Sequence, residues 1–389
     1  MTTRTATLAL VDPAGHPLGT LPLGALPSPW WQDTGEVIAA AHAQHGSHVT
    51  LLRLLTVDQP APPGGALTYL AELDGPPPAA MLPHTDPTWT APHPLRMPWA
   101  NPGGPTASLA WADRTLAAHG TPIHQRHQFR TWNLSSIWRL DTTAGTVWLK
   151  EVPEFHAHEG AVLAWLARPT TPQLIATDHT RMLIADIPGT DRYHAPAAER
   201  AAMLTELLDI QTHATHHVPE LLALGVPDQR TTPLLARITE TIDTAQLPHA
   251  DRTTLHQLAH TLTELASCGI PDTLRHGDFH PGNVRTHNGH HVILDWADSA
   301  IGNPVFDLIR LRGPDGDDAL TAQWCAHWRT IIPGSDPERA AALAAPLAAL
   351  RDAAVYGTFL ANIEPTEHPY HAVDVPNALT EALRTSRHA

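Results

Sequence analysis

Lysine is almost missing from this chain. Of its 389 residues one is lysine, Lys150, against 23 arginines. The Ala-, Pro- and Arg-rich composition matches a GC-rich coding sequence in which surface lysine drifts to arginine without harm, which leaves the survivor to be explained. Cysteine is nearly as scarce. Cys268 and Cys325 stand alone, with no CxxC spacing, which excludes a disulfide framework and a thiolate metal site. No stretch approaches the roughly 20 apolar residues that a membrane span needs, and the apolar part of "MTTRTATLALVDPAGHPLG" is too short for a signal peptide. A net charge of −15 disfavours a nucleic-acid or anionic-membrane partner. A soluble, cytoplasmic protein is expected.

The length allows two or three domains. Residues 5–22 read as strand, Pro/Gly turn, strand, and 33–46 as a helix with Asp33 or Thr34 at its start and Gly46 as its stop. "HVTLLRLLTV" and "GGALTYLAEL" are two further strands. Residues 1–105 are therefore expected to form a small ββαββ domain ending in the proline-dense stretch 74–105, which is unable to hold regular structure and marks a boundary. Beyond it a short helix leads to three strands, "RTWNLSSIWRL" supplying a tight turn and "GTVWLKEV" the third strand. A helix at 155–167 and a buried strand at 181–189 follow, and the remainder is helical, with Pro346 expected to interrupt one helix. The pattern is α+β: a small β-rich lobe at 106–188 and a helical lobe at 189–389.

The segment "LRHGDFHPGNVRTHNGHHVILDWADSAIGNPVFDL", 274–308, carries the chemistry. A polar turn bears Asp278 and Asn283 five residues apart, and a hairpin then delivers Asp295. An Asn and an Asp converging from neighbouring strands supply hard oxygen ligands suited to Mg²⁺. A carboxylate just ahead of them can accept a proton from a hydroxyl. That is the layout of a phosphoryl-transfer site. His276, Asp278 and His280 could alternatively ligate the metal of a hydrolase, but the further ligands are missing.

This segment resembles the catalytic core of the aminoglycoside phosphotransferase and choline kinase branch of the protein-kinase-like superfamily. "HGDFHPGN" keeps the HGDxHxxN form of that branch, and "ILDW" has Asp-Trp where protein kinases have Asp-Phe-Gly. The resemblance spans about residues 107–389 and implies a bilobal kinase-like fold. It implies Asp278 as catalytic base, Asn283 and Asp295 as Mg²⁺ ligands, and His276, His280 and Asp307 as braces of the loop.

The same resemblance explains the lone lysine. In this fold a lysine on the third strand of the small lobe contacts the nucleotide phosphates and pairs with a glutamate on the next helix. Lys150 ends an apolar strand. Glu159 shares a helical face with Val162, Leu163 and Leu166, where a carboxylate is costly without a cation. The planar fork of arginine is a poor substitute for the compact ammonium. Glu151 and Glu154 are alternative partners. Asn133, Ser135 and Ser136 would cover the phosphates in place of a Gly-rich loop, or simply form a β-turn. The backbone of Ala185 to Ile187 would be the hinge that meets the purine of ATP or GTP.

The acceptor is expected to be a small molecule with a hydroxyl, a sugar, aminocyclitol or antibiotic-like compound. Asp298, Asp315, Asp317 and Asp318 would face an amino group on it; the "GPDGDD" run is alternatively a solvated turn, and Asp298 structural. A kinase of Ser/Thr hydroxyls in a protein, and a nucleotide-binding pseudokinase scaffold, are the competing readings.

Overall fold

The computed structural model describes residues 3–313 and 316–386. The chain divides into two compact units, one of residues 1–155, 175–186 and 359–373, the other of residues 156–174, 187–358 and 374–389.

The first unit opens with β1 (Arg4–Val11), β2 (Pro17–Leu26), α1 (Gly35–His45), β3 (His48–Val57) and β4 (Gly65–Asp74). They build a four-stranded sheet in the order β2-β1-β4-β3, whose β1–β4 pair is parallel. Alternation along the strands turns Leu8, Leu10, Leu51 and Tyr69 into one core with Trp31 and Val37. The proline-dense stretch that follows holds two 3₁₀ turns, Pro87–Thr90 and Pro98–Ala100, and a single antiparallel bridge from Leu82 to Thr20 of β2. It is nevertheless anchored, because Trp89 and Trp99 are buried.

After α2 (Gly104–Ala118) come β5 (Ile123–Trp132), β6 (Ser135–Thr142) and β7 (Gly145–Glu151), and later β8 (Leu174–Asp178) and β9 (Arg181–Ala185). These five strands form a sheet in the order β5-β6-β7-β9-β8. Ala112 and Leu116 of α2 cover the face that carries Leu140, Val147, Leu149 and Leu183. Within this unit Gln128 of β5 bonds both the N–H and the C=O of Leu51 in β3, taking the place of a missing strand pair. Residues 364–371 fasten to both sheets as well. Glu364 pairs with Arg53 and Arg96, Glu367 accepts the Leu54 N–H, and Tyr370 packs edge-on to Trp31 and Trp132. Burial pushes the Glu367 carboxyl up to about 8, helped by its neighbour Glu364.

The second unit holds α3 (His158–Leu166) and the short β10 (Thr190–Asp191), followed by α4 (Ala197–Ala214), α5 (Val218–Ala223), α6 (Thr231–Thr244), α7 (His249–His260) and α8 (Leu262–Ser267). Next come β11 (Thr273–Arg275), β12 (Val284–His287), β13 (His290–Ile293) and β14 (Ala300–Gly302), then α9 (Val305–Arg312), α10 (Asp318–Ile331), α11 (Pro337–Asn362), whose residues from 359 on count with the first unit, and α12 (Asp374–Ser386). β11 pairs with β14, and β10, β12 and β13 form a small sheet, so a set of short strands is held among helices. One expectation is corrected here. Pro346 does not interrupt a helix but lies inside the continuous α11. Its flanks Ala344, Leu347, Ala348 and Leu350 are buried, and packing offsets the lost hydrogen bond of a helical proline. Among the described residues no helix is long and apolar enough to cross a membrane.

Candidate active site

In the second unit the buried strand β11 delivers His276, Gly277 and Asp278 into a turn. Gly277 has φ +88°, and a Cβ there would lie 2.0 Å from the carbonyl oxygen of Asp298, so only glycine lets the turn approach that strand entry. Asp307, in the first turn of α9 and fully buried, accepts the N–H of His276 at 2.8 Å and that of Gly277 at 3.0 Å. The amide of Gln211 donates to the same carboxylate at 2.9 Å. His276 is buried, with Nε2 2.6 Å from the Leu294 carbonyl and Nδ1 accepting the Asp278 N–H at 3.3 Å. The second bond requires a bare Nδ1, so the ring is neutral and its proton sits on Nε2. His280 repeats the device. Its Nδ1 accepts the Gly282 N–H at 3.0 Å, and Nε2 lies 3.4 Å from Oδ2 of Asp278. Both rings thus spend their Nδ1 lone pairs on the loop itself.

Asp278 is gripped on both oxygens. The Nε of Arg310 donates to Oδ1 at 2.6 Å, and Nδ2 of Asn283 donates to Oδ2 at 3.0 Å. Burial alone would raise its pKa, but the hydrogen bond from His280 and the charge of Arg310 outweigh it and hold the carboxyl far below the usual range. The group is a carboxylate at any physiological pH. Because Nδ2 of Asn283 also binds the Asp278 carbonyl, the amide is oriented with its oxygen on the opposite side. That oxygen is the atom suited to a hard cation.

The hairpin β12–β13 brings the next carboxylate in. The Leu294 N–H donates to the Asn283 carbonyl at 2.8 Å, which joins the loop to the residue before Asp295. Asp295 has φ +59°, a left-handed conformation uncommon for a non-glycine residue. The following N–H, that of Trp296, donates to Oε1 of Glu159 at 3.1 Å. The Trp296 ring is buried against His276, with centroids 4.8 Å apart. Glu159 is 1% exposed and lies in the first turn of α3, where it fixes the Asp295 segment. Asp298 lies 3.4 Å from Nε2 of the buried His156. Ile187 is half-buried in this unit.

In the first unit Lys150 stands on β7 between Ile137 and Met182 of the neighbouring strands. The two-residue period of the strand decides between its candidate partners. Val147, Leu149 and Glu151 share the face toward α2, where Glu151 accepts the Ser108 hydroxyl, while Lys150 points the other way with Trp148. Glu154 pairs with His179 at 2.8 Å. Glu151 and Glu154 are therefore both committed elsewhere. Ala185 ends β9, in register with Val147. The hairpin turn differs from its expected exposure. Asn133 is buried, its amide donating to the Glu367 carbonyl at 3.3 Å and its oxygen 3.1 Å from His371. Its side chain anchors residues 364–371 and so does not face a ligand as expected. Ser135 accepts the Trp132 indole at 3.0 Å, and Ser136 is buried.

The acidic wall is not assembled as expected. Asp317 caps α10 and pairs with Arg200 at 2.8 Å, because a helix start and a nearby guanidinium claim its oxygens. Asp318 is exposed in the first turn of α10, and Asp315 lies outside the described residues. Arg310 was missed. The signal was present, since it follows Asp307 by three residues and so shares its helical face. Among the described residues no group of three or more His, Cys, Asp or Glu could hold a metal ion, so Asn283 and Asp295 alone would leave most of a cation's shell to phosphates and water.

A helix-framed loop of this sequence, with its neighbouring carboxylate hairpin, belongs to the kinase-like phosphotransferases. Residues 119–343 match the model described as "Phosphotransferase enzyme family", and the chain belongs to that family. No curated protein matches it. Among solved structures it is similar to choline kinase LicA from Streptococcus pneumoniae, with a TM-score of 0.54 and 14% identity over 72% of this chain and 99% of that one. It is also similar to macrolide 2'-phosphotransferase MphH from Brachybacterium faecium, with a TM-score of 0.51 and 14% identity over 68% and 97% of the two chains. The GDP complex of aminoglycoside 2'-phosphotransferase-IIIa likewise gives 0.51 and 14% over 72% and 99%. At these identities the likeness is one of fold, the α+β kinase-like fold that the HGDFHPGN and ILDW segments implied.

Proposed function

We propose that the protein transfers the γ-phosphoryl group of ATP or GTP to a hydroxyl of a small molecule. The observation that supports this is Asp278, an ionised carboxylate held on both oxygens by Arg310 and Asn283 within a buried, braced loop. Asp278 orients the acceptor hydroxyl. As the acceptor oxygen bonds to the γ-phosphorus, the bond from that phosphorus to the bridging oxygen breaks. The hydroxyl proton passes to Asp278 and the nucleoside diphosphate leaves. A strongly depressed pKa makes Asp278 a weak base, which suits a loose transition state where the nucleophile gives up its proton late.

The oxygen-rich pair Asn283 and Asp295 fits Mg²⁺, whose charge would neutralise the phosphates. Lys150 would contact the α- and β-phosphates, with Glu159 as its partner on α3, and the backbone of Ala185 to Ile187 would meet the purine. The β5–β6 turn would cover the phosphates with backbone N–H groups and the Ser135 and Ser136 hydroxyls. Residues 106–188 would serve the nucleotide, 189–389 the acceptor, and 1–105 would be a cap.

The test is Asp278→Asn, assayed by nucleotide turnover and by equilibrium binding. Turnover should fall by about 10²–10⁴, the usual worth of a positioned base, while Mg-nucleotide affinity changes less than about threefold. Equal turnover in the two proteins would refute the assignment.

A further inference from the structure

A cavity of about 420 Å³ opens among α9, α11 and α12 of the second unit. Arg310 lines it and binds Asp278 at 2.6 Å, so one side chain links the cavity to the carboxylate that would receive the proton. Ala345, Ala348 and Ala349 of α11 leave the space open, and the volume suits a molecule of sugar size. Among the described residues its charges are unbalanced: Arg310, Arg312, Arg351 and Arg384 line it against Asp352 and Glu381.

Most of those charges already have partners. Asp352 accepts Nη1 of Arg351 at 2.8 Å, and Glu381 is forked by Arg384 at 2.8 and 2.6 Å. Glu381 is thus committed on both oxygens, while Asp352 spends one of its two on Arg351. Arg312 is different. Among the described residues it has no carboxylate partner, and its buried Nε, like that of Arg351, has no hydrogen-bond partner. Gly316 beside it, at φ +73°, leaves room for the guanidinium, since a Cβ there would lie 3.1 Å from Nη2. A buried guanidinium donor without a partner is costly, and its fork matches a carboxylate or phosphate. An ammonium brought into this cavity would meet four guanidiniums against two carboxylates.

We infer that the acceptor carries an anionic oxygen group, carboxylate or phosphate, which Arg312 holds in this cavity while the acceptor hydroxyl reaches Asp278. This rests on the phosphotransferase reading above and replaces the amino-bearing acceptor with an acidic one.

The test is calorimetric titration of the full chain, and of Arg312→Ala and Arg312→Gln, with glycerol 3-phosphate, glycerate, glycerol and glucosamine. At least one of the two anions should bind about tenfold or more tightly than glycerol and glucosamine, and both variants should lose that margin. Which anion binds distinguishes phosphate from carboxylate recognition. Mg-ATP affinity should be the same in all three proteins. Glycerol or glucosamine binding as tightly as the anions, failure of both anions to bind the wild type, or an unchanged margin in the variants would each overturn the inference. So would a parallel loss of Mg-ATP affinity, which would make Arg312 a donor contact. Failure of the phosphotransferase reading would appear separately, as wild type that does not bind Mg-ATP at all.

Discussion

The Nε of Arg310 lies 2.6 Å from Oδ1 of Asp278, an ion pair across 32 residues that ties helix α9 to the loop bearing the proposed base. It sets the electrostatic state of that base. Asp278 faces Arg310 from α9 and His280 and Asn283 from its own loop, with Asp352 and Tyr356 of α11 also in its field.

Replacing Arg310 with methionine should move the acid limb of the pH–rate profile to higher pH. Burial raises the Asp278 pKa, and the hydrogen bond from His280 together with the charge of Arg310 outweighs it; with Arg310 removed the pKa rises and the carboxylate is protonated sooner as pH falls. Arg310→Lys should keep the limb near its wild-type position. Nucleotide turnover of the wild type should show no Asp278 limb between pH 4 and 8 (about the range where carboxylates and His titrate), and an equally flat acid side in Arg310→Met would contradict this. The depressed pKa also makes ionised Asp278 a stabilising group above the ordinary value of 3.8, a contribution lost as pH falls below it.

Gly277→Ala should be severe although it adds one methyl group. Its Cβ would lie 2.0 Å from the Asp298 carbonyl oxygen, and φ +88° is strained for an L-residue. The turn would have to shift by about an ångström, and turnover should fall by about 10². A melting curve and a rate measured on the same preparation separate loop displacement from global unfolding. Wild-type values for both would show that the turn has slack.

Lys150→Arg addresses the one lysine of the chain. Lys150 is mostly buried between Ile137 and Met182, on the face opposite Glu151. A planar, larger cation in that slot should lower nucleotide turnover by about 10² or more, no better than Lys150→Met. Normal turnover in Lys150→Arg would mean that charge alone matters there.

The parts legible in the sequence were those written locally. The four strands and helix of residues 4–74 follow from alternation and turn residues, and the contiguous HGDFHPGN run announces its own loop. The long-range ties were not legible. Asn133 meets His371 across 238 residues, and nothing in "TWNLSS" shows that its amide is needed to hold a segment near the far end of the chain. Glu364 and Glu367 likewise reach Arg53, Arg96 and Leu54, so residues 359–373 join the first unit although they follow the helical run. Pro346 looked like a break because local propensity opposes it, and tertiary burial of its alanine-rich flanks prevails. Arg312 carried no signal at all, since a partnerless guanidinium is visible only once the surrounding helices are in place.

The most direct test of the proposed activity is a thermal-shift titration with Mg-ATP and Mg-GTP on wild type and Asp295→Asn. At a hundredfold excess over Kd, the wild type should gain about 2.7 kcal/mol from the nucleotide it uses. That corresponds to a rise in Tm of several degrees. The gain should require Mg²⁺ and be largely lost in Asp295→Asn. An equal shift in both proteins would remove Asp295 from the metal site, and no shift with either nucleotide would contradict the phosphotransferase reading itself.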